Sequence, residues 1–319
     1  MSFKPSQSMF TKNFKKLCKR DVNISGGKGA SLGEMTQAKI AVPPGFVVLA
    51  DAFDRFLEET DLNVEIRAIL KKVKHEDIHS VERASRMIND LISDARFPDD
   101  IGKEIKKQFV ALKTKYVAVR SSATAEDSSI ASWAGELESY LNVTSTNLLE
   151  SVKKCWASLF TPRAIFYRFE KKLHKEHVSV AVVIQKMVQS EVSGISFTVH
   201  PVTEDKNQMV IEAGWGLGEA IVGGKITPDT YVVGKKKLEI IDKNISKQTM
   251  MIVRKGNGIK ETKVPISKQS NQKFSDFQIK KLSKACIEIE KHYKKPQDIE
   301  WAMEKGKVYI VQSRPITTL

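Results

Sequence analysis

The pattern of hydrophobic and polar positions is most regular near the end of the chain, in residues 298–315. Two runs rich in β-branched and aromatic residues flank the segment 304–306, which predicts a hairpin closed by a three-residue loop. That loop sets a register in which Trp301 faces Tyr309. One face of the predicted hairpin is then wholly apolar, and the other face collects the polar side chains.

The polar face of this hairpin combines carboxylates, an amide and a guanidinium with aliphatic residues between them. Its polar members are Asp298, Glu300, Gln312 and Arg314. A solvated edge hairpin would instead favour Lys and Thr on its outer face. The pattern therefore favours a binding site for a metal-bound anion next to a flat apolar group.

Helical periodicity and short apolar runs predict the elements of the remaining chain. Predicted strands cover residues 46–49, 116–120, 138–143, 180–188, 194–198, 208–212, 230–233, 238–241 and 249–253, with 180–188 as a central strand. Helical patterns cover residues 52–115, 147–160, 161–173 and 277–292. Residues 254–274 are polar, and we expect them to be loop-rich.

The chain has 319 residues, more than one hydrophobic core usually spans, so two lobes are expected. Its N-terminus lacks the apolar core of a signal peptide, and no run approaches about 20 uninterrupted apolar residues, so a cytoplasmic location is expected. Cys18, Cys155 and Cys286 lack CxxC or CxxH spacing. Neither a disulfide framework nor a zinc site is indicated, and we expect three reduced thiols.

The formal net charge is +14, and most of the excess comes from dispersed lysines. Basic proteins often bind nucleic acids or membranes, but this sequence has no basic stripe interleaved with aromatic residues. Solvated helix faces account for most of the charge. The resulting field would attract an anionic ligand such as a nucleotide.

A glycine-rich stretch at residues 26–34 leads into a segment that can continue as a helix. Backbone amides at a helix N-terminus attract phosphate, and Lys28 would add a mobile positive charge. The stretch is not the GxxxxGK[ST] loop, and a tight turn before a packed helix is the alternative.

A second group of candidate ligands follows the predicted strand 116–120. Arg120 ends this strand and carries a guanidinium suited to phosphate, and the small residues after it permit close backbone approach. The segment up to Gly135 is a candidate flap over the ligand. The end of the strand 180–188 offers backbone groups that can contact an adenine edge. A glycine loop at 214–219 lacks the surroundings of a dinucleotide fold.

Together these stretches resemble the N-terminal nucleotide-binding domain shared by phosphoenolpyruvate synthase, pyruvate phosphate dikinase and rifamycin phosphotransferase. The similar motifs are residues 26–34, 42–48, 119–127, 133–135, 194–201, 212–219, 298–302 and 312–315. The resemblance implies an α+β, ATP-grasp-like fold with two lobes, residues 1–187 and 188–319. It also implies that ATP lies in the cleft between them, with magnesium on its phosphates.

The resemblance assigns roles to individual residues. The expected phosphate-binding cations of the first lobe are Lys28 and Arg120, the expected flap residue is Gly135, and the expected adenine contacts are Gln185 and Met187. In the second lobe, Asp298, Glu300 and Gln312 resemble the group around magnesium and ribose, with Glu300 and Gln312 as metal ligands. Arg314 resembles the cation on the transferred phosphate. Lys28, Arg120 and Arg314 are the expected catalytic residues.

The resemblance further implies an ATP-dependent phosphotransferase that passes phosphate from ATP to a histidine. The six histidines of this chain match no Gly-Gly-x-Thr-x-His segment, so the acceptor histidine is expected on a separate domain or chain. Two alternatives remain open, namely the ATP-binding component of a rifamycin-type antibiotic phosphotransferase and a non-catalytic nucleotide-binding regulatory protein. No nucleic-acid or membrane partner is expected.

Overall fold

The computed structural model describes residues 9–124, 127–128, 131–132, 138–171 and 178–317. The chain forms two compact units. Unit 1 comprises Met1–Glu34 and Pro44–Lys186, and unit 2 comprises Met35–Pro43 and Met187–Leu319. The short segment Met35–Pro43 thus belongs with the C-terminal half of the chain.

Unit 1 contains a layer of helices against one sheet. Its strands are β1 (Thr11–Asn13), β2 (Gly45–Val48), β3 (Val117–Ala123), β4 (Asp127–Ser128), β5 (Ala131–Ser132), β6 (Ser139–Val143) and β7 (Val180–Lys186). Its helices are α2 (Ala50–Glu59), α3 (Leu62–Lys71), α4 (Ile78–Asp94), α5 (Asp99–Ala111), α6 (Leu148–Ala157) and α7 (Pro162–Glu170), and α1 (Val22–Gln37) runs from unit 1 into unit 2.

The described strands of unit 1 build sheet 1 in the order β1-β2-β7-β3-β6, with β4 and β5 as a separate pair. One face of sheet 1 packs against the helices through side chains such as Phe46, Val119 and Val182. Trp156 on α6 is fully buried among the aromatic rings of that layer. The strand β7 is central in the sheet, as its continuous apolar run predicts.

The glycine-rich stretch begins at a break inside α1, and the residues after Gly26 start the second helical segment of α1, as the predicted helix entry requires. Gly26 interrupts the helix with φ of 65° and ψ of 171°. A Cβ atom built on Gly26 would lie 2.2 Å from Ser122 Oγ and 2.4 Å from the Ser122 carbonyl oxygen. Only glycine permits both the positive φ and this close approach of α1 to β3.

Unit 2 is built on a six-stranded sheet, sheet 2, with the order β11-β10-β9-β8-β14-β15. Its strands are β8 (Val192–Phe197), β9 (Gln208–Trp215), β10 (Asp229–Gly234), β11 (Ile240–Asn244), β14 (Gln297–Glu304) and β15 (Lys307–Pro315). The remaining elements of unit 2 are α8 (Glu219–Val222), the pair β12 (Met250–Lys255) and β13 (Gly258–Lys263), and α9 (Asp276–Tyr293).

The core of unit 2 lies between α9 and one face of sheet 2. The Phe274 ring lies 4.5 Å from that of Trp301 on β14, and Ile299 and Ile279 are fully buried. A buried ion pair supports the same region. Lys273 Nζ lies 2.7 Å from Asp229 Oδ1, and both side chains are inaccessible to solvent.

Further hydrogen bonds reach both oxygen atoms of the buried Asp229 carboxylate. The Tyr231 hydroxyl donates to Asp229 Oδ2 at 2.8 Å, and the Lys273 amide donates to the same oxygen at 2.9 Å. The Ser246 amide donates to Asp229 Oδ1 at 3.0 Å. This network fixes β10 to the segment that leads into α9.

All pairs between the named strands are antiparallel, and helices α2 to α7 pack together on one face of sheet 1, so the described part of the chain is an α+β protein. The sequence prediction missed short elements, among them β1, α8 and β13. Residues 258–263 form β13 in a region that was predicted to be loop-rich. This strand carries charged residues and no apolar run, so the sequence pattern does not indicate a strand here.

Candidate functional site

The hairpin of β14 and β15 differs in register from the sequence prediction. Lys305 and Gly306 both have positive φ, 51° and 73°, which gives a two-residue loop and leaves Glu304 in the strand. Trp301 consequently faces Ile310. The predicted three-residue loop and its register are therefore wrong.

A β-bulge nevertheless brings the predicted polar residues to one face. The register shifts by one residue between Glu300 and Trp301, so that Glu300 faces Gln312 and Asp298 faces Arg314. Residues that face each other directly project from the same side of a sheet. Without the shift, Gln312 would face Ile299 on the side that packs against α9. The bulge is thus what places the amide and the guanidinium beside the two acids.

This polar face of sheet 2 extends beyond the hairpin. Glu300 faces Ile195 on β8, and Ile195 faces Glu212 on β9. Glu212 in turn faces Thr230 on β10. Each of these four side chains is half-buried. The polar face therefore contains a third acid, Glu212, in the row of Glu300 and Gln312.

Asp298 holds Arg314 directly. Arg314 donates from Nε at 2.9 Å and from Nη2 at 2.7 Å to the same oxygen, Asp298 Oδ2. The Asp298 side chain is 13% exposed, whereas that of Arg314 is 46% exposed. The acid is thus the inner member of the pair, and it orients a guanidinium that solvent or a ligand can reach.

The acids of the polar face affect one another. Burial, followed by the nearby charge of Asp298, raises the pKa of Glu212. Burial also raises the pKa of Asp298, although Arg314 opposes this rise and Glu300 adds to it. The ionised carboxylates are therefore crowded, and a positive charge bound here would stabilise their ionised forms.

The predicted phosphate-binding residues of unit 1 share one face of sheet 1. Arg120 and Ser122 project from β3 on the side opposite the helical core. The amide of Gly29 on α1 donates to Ser122 Oγ at 3.4 Å, so α1 lies over this face. Lys28, next to Gly29, is half-buried, as is Arg120. The structure therefore brings the glycine-rich helix beside the face of β3 that carries Arg120 and Ser122.

The predicted adenine contacts lie at the end of β7. Gln185 is 3% exposed and faces Ala118 of β3, so it is on the same side of sheet 1 as Arg120. Met187 is half-buried and follows the last residue of the strand. The predicted flap residue Gly135 lies outside the described residues.

Sequence reasoning missed two residues of these faces, Glu212 and Ser122. Glu212 was visible as the last residue of a predicted strand, but its face depended on a register that no residue pattern determines. Ser122 was assigned to a loop because β3 extends to Ala123, beyond the predicted end at residue 120.

Two features are absent from the described part of the chain. No group of three or more His, Cys, Asp or Glu side chains in it is arranged to hold a metal ion. Nor does any helix there have the length and apolar character needed to cross a membrane. A cavity of about 740 Å³ in unit 1 is lined by α2, α3 and α7 and by nearby residues, so it lies on the helical side of sheet 1.

Comparisons with known proteins identify the family of this chain. Residues 22–319 match the family of the pyruvate phosphate dikinase, AMP/ATP-binding domain. The chain is 48% identical to a probable phosphoenolpyruvate synthase of Methanocaldococcus jannaschii, over 95% of its length and 26% of that protein. It is 41% identical to the phosphoenolpyruvate synthase of Pyrococcus furiosus, over 97% of its length and 44% of that protein.

Rifampicin phosphotransferase of Bacillus subtilis is a third relative, 38% identical over 94% of this chain and 35% of that protein. The chain thus spans between a quarter and a half of the length of these relatives. With the family match extending over almost all of its residues, the chain belongs to the family of the pyruvate phosphate dikinase AMP/ATP-binding domain.

Proposed function

We propose that this chain binds ATP with magnesium and transfers phosphate from it to a histidine on a separate domain or chain, in the cytoplasm. In this proposal residues 1–187 and 188–319 are the two lobes of an ATP-grasp-like fold. Arg120, Lys28 and Gly135 contact the phosphates, and Gln185 and Met187 contact the adenine. The family match supports ATP as the ligand.

One observation carries the proposal, namely the two facing pairs of the hairpin. Glu300 and Gln312 present oxygen atoms side by side, and the adjacent pair presents the guanidinium of Arg314 held by Asp298. Oxygen ligands suit a hard cation, and a guanidinium suits a phosphate. The two facing pairs therefore place a possible cation site next to a possible phosphate site on one hairpin.

The residues of this face fit magnesium. Mg²⁺ usually keeps several waters and phosphate oxygens and needs only one or two protein ligands, which Glu300 and Gln312 would provide. Burial, with a smaller contribution from the charge of Glu300, raises the pKa of Asp298, and a cation bound beside Glu300 would stabilise the ionised form. Bound magnesium would neutralise charge on the phosphates, while Lys28, Arg120 and Arg314 would stabilise the charge of the transferred group.

The test is the release of AMP or ADP from ATP and magnesium, with and without a separately expressed histidine domain of a phosphoenolpyruvate synthase. We expect release that depends on the histidine domain, together with phosphate on its histidine. No release in either case, with ATP bound, would contradict the enzymatic proposal. A non-catalytic nucleotide-binding protein would then explain the result.

A second candidate is the ATP-binding component of a rifamycin-type antibiotic phosphotransferase. The similarity to the Bacillus subtilis rifampicin phosphotransferase favours it. The same assay separates the candidates when the remaining domains of each relative are supplied in turn, with pyruvate or with rifampicin as the final acceptor. Phosphorylation of rifampicin alone would support the second candidate.

A further inference from the structure

We propose that Glu212 is a further nucleotide-binding residue, whose carboxylate accepts hydrogen bonds from the ribose hydroxyls of the bound nucleotide. The inference rests on the proposed function and adds to it the selection of ribonucleotides over deoxyribonucleotides.

The position of Glu212 in sheet 2 is the first step. It shares a row with Glu300 and is separated from it by Ile195. Neighbouring strands are about 4.8 Å apart, so the Cα atoms of the two acids lie about 10 Å apart. Both side chains project from the polar face. A nucleotide whose metal-bound phosphates lie at Glu300 would therefore extend across Ile195 toward Glu212.

The surroundings of Glu212 suit a sugar better than a cation that Glu212 would share with Glu300. The half-buried side chain of Ile195 lies in the row between the two acids, so a hydrated cation at Glu300 meets an apolar group on this side. A sugar can pack its carbon atoms on such a group and direct its hydroxyls to the carboxylate beyond. Two vicinal hydroxyls would give the carboxylate two charge-assisted hydrogen bonds.

The order of residues along the strands agrees with this placement. Arg314 and Asp298 face each other toward the end of the hairpin away from its loop, and the row of Glu300 and Glu212 comes next. The guanidinium of Arg314 thus lies on the same face as Glu300, where the phosphates of the nucleotide would lie.

The chain offers a matched control for Glu212. Glu219 on α8 is also half-buried in unit 2, and burial raises its pKa as it does that of Glu212. It lies outside sheet 2. Replacing each acid by Gln removes one half-buried charge from unit 2, and only Glu212 stands in the row of Glu300.

The experiment measures the affinities of the full chain for ATP, 2′-deoxy-ATP and 3′-deoxy-ATP by calorimetry with magnesium. We expect the wild-type chain to prefer ATP about tenfold over each deoxynucleotide, the value of one charge-assisted hydrogen bond. Glu212→Gln should lower the ATP affinity about tenfold and nearly abolish the preference, whereas Glu219→Gln should keep it.

Three results would overturn the inference and leave the proposed function standing. They are an unchanged preference in Glu212→Gln, an equal loss in Glu219→Gln, and a Glu212→Gln protein that keeps its preference but needs more magnesium to bind ATP. The third result would assign the carboxylate to the metal. If the wild-type chain binds no ATP, the proposed function itself fails.

Discussion

Replacement of Gly26 by Ala tests whether the interruption of α1 brings the helix to β3. Two costs add in this variant. A residue other than glycine at a φ of 65° and a ψ of 171° costs about 1–3 kcal/mol, and the new Cβ, 2.2 Å from Ser122 Oγ, forces a displacement that costs about 1–3 kcal/mol. We therefore expect Gly26→Ala to lose about 2–6 kcal/mol of unfolding free energy.

Gly224→Ala is the matched control, because Gly224 has a similar φ of 63° but no heavy atom within 4 Å of the position of its Cβ. It should show only the conformational cost. Urea denaturation followed by circular dichroism gives the unfolding free energy of each variant. If the two units unfold in separate transitions, the transition of each unit is compared by itself. The affinity for ATP should fall in Gly26→Ala, since α1 must move off the face that carries Arg120. Equal losses of stability in the two variants, or an unchanged ATP affinity in Gly26→Ala, would refute this reasoning.

Three further predictions concern unit 2. Lys273→Met should cost about 3–5 kcal/mol of unfolding free energy because it leaves Asp229 buried and charged. The double variant with Asp229→Asn, which removes the charge and keeps an acceptor oxygen for the Tyr231 hydroxyl, should recover part of this loss in thermal denaturation. Glu219 has a raised folded pKa, so its ionisation costs stability as pH rises above its unfolded value; Glu219→Gln should be more stable than wild type at pH 8, and the difference should vanish toward pH 4. A constant difference across this range would contradict that sign. Asp298→Asn should weaken ATP binding by releasing Arg314, yet change the unfolding free energy by less than about 1 kcal/mol because the guanidinium is partly exposed; unchanged affinity in calorimetry would contradict the positioning role.

The hairpin illustrates which features of the site follow from the sequence and which do not. Alternation along each strand correctly indicated that Asp298 and Glu300 share one face and that Trp301 belongs to the other. The facing partners depended on the length of the loop and on a bulge, and neither follows from alternation. Two errors compensated, because the shorter loop and the bulge together return Gln312 and Arg314 to the predicted face.

Other differences have the same origin in tertiary contacts. The predicted helix entry at residues 26–34 follows the break at Gly26, but the local sequence does not indicate the close approach of Gly26 to Ser122. The third acid, Glu212, joins the site only through the pairing of β9 with β8. Local sequence patterns indicate which way a side chain points along its own strand. They do not indicate which strands become neighbours.

The central claim is that the polar face of sheet 2 binds the magnesium complex of ATP. Calorimetric titration of ATP at increasing magnesium concentration, for wild type, Glu300→Ala and Glu304→Ala, tests it most directly. Glu304 lies on the same strand, four residues nearer the loop, and serves as the control. We expect magnesium-dependent ATP binding in wild type and in Glu304→Ala, and we expect this binding to be lost in Glu300→Ala. Unchanged magnesium-dependent affinity in Glu300→Ala would contradict it.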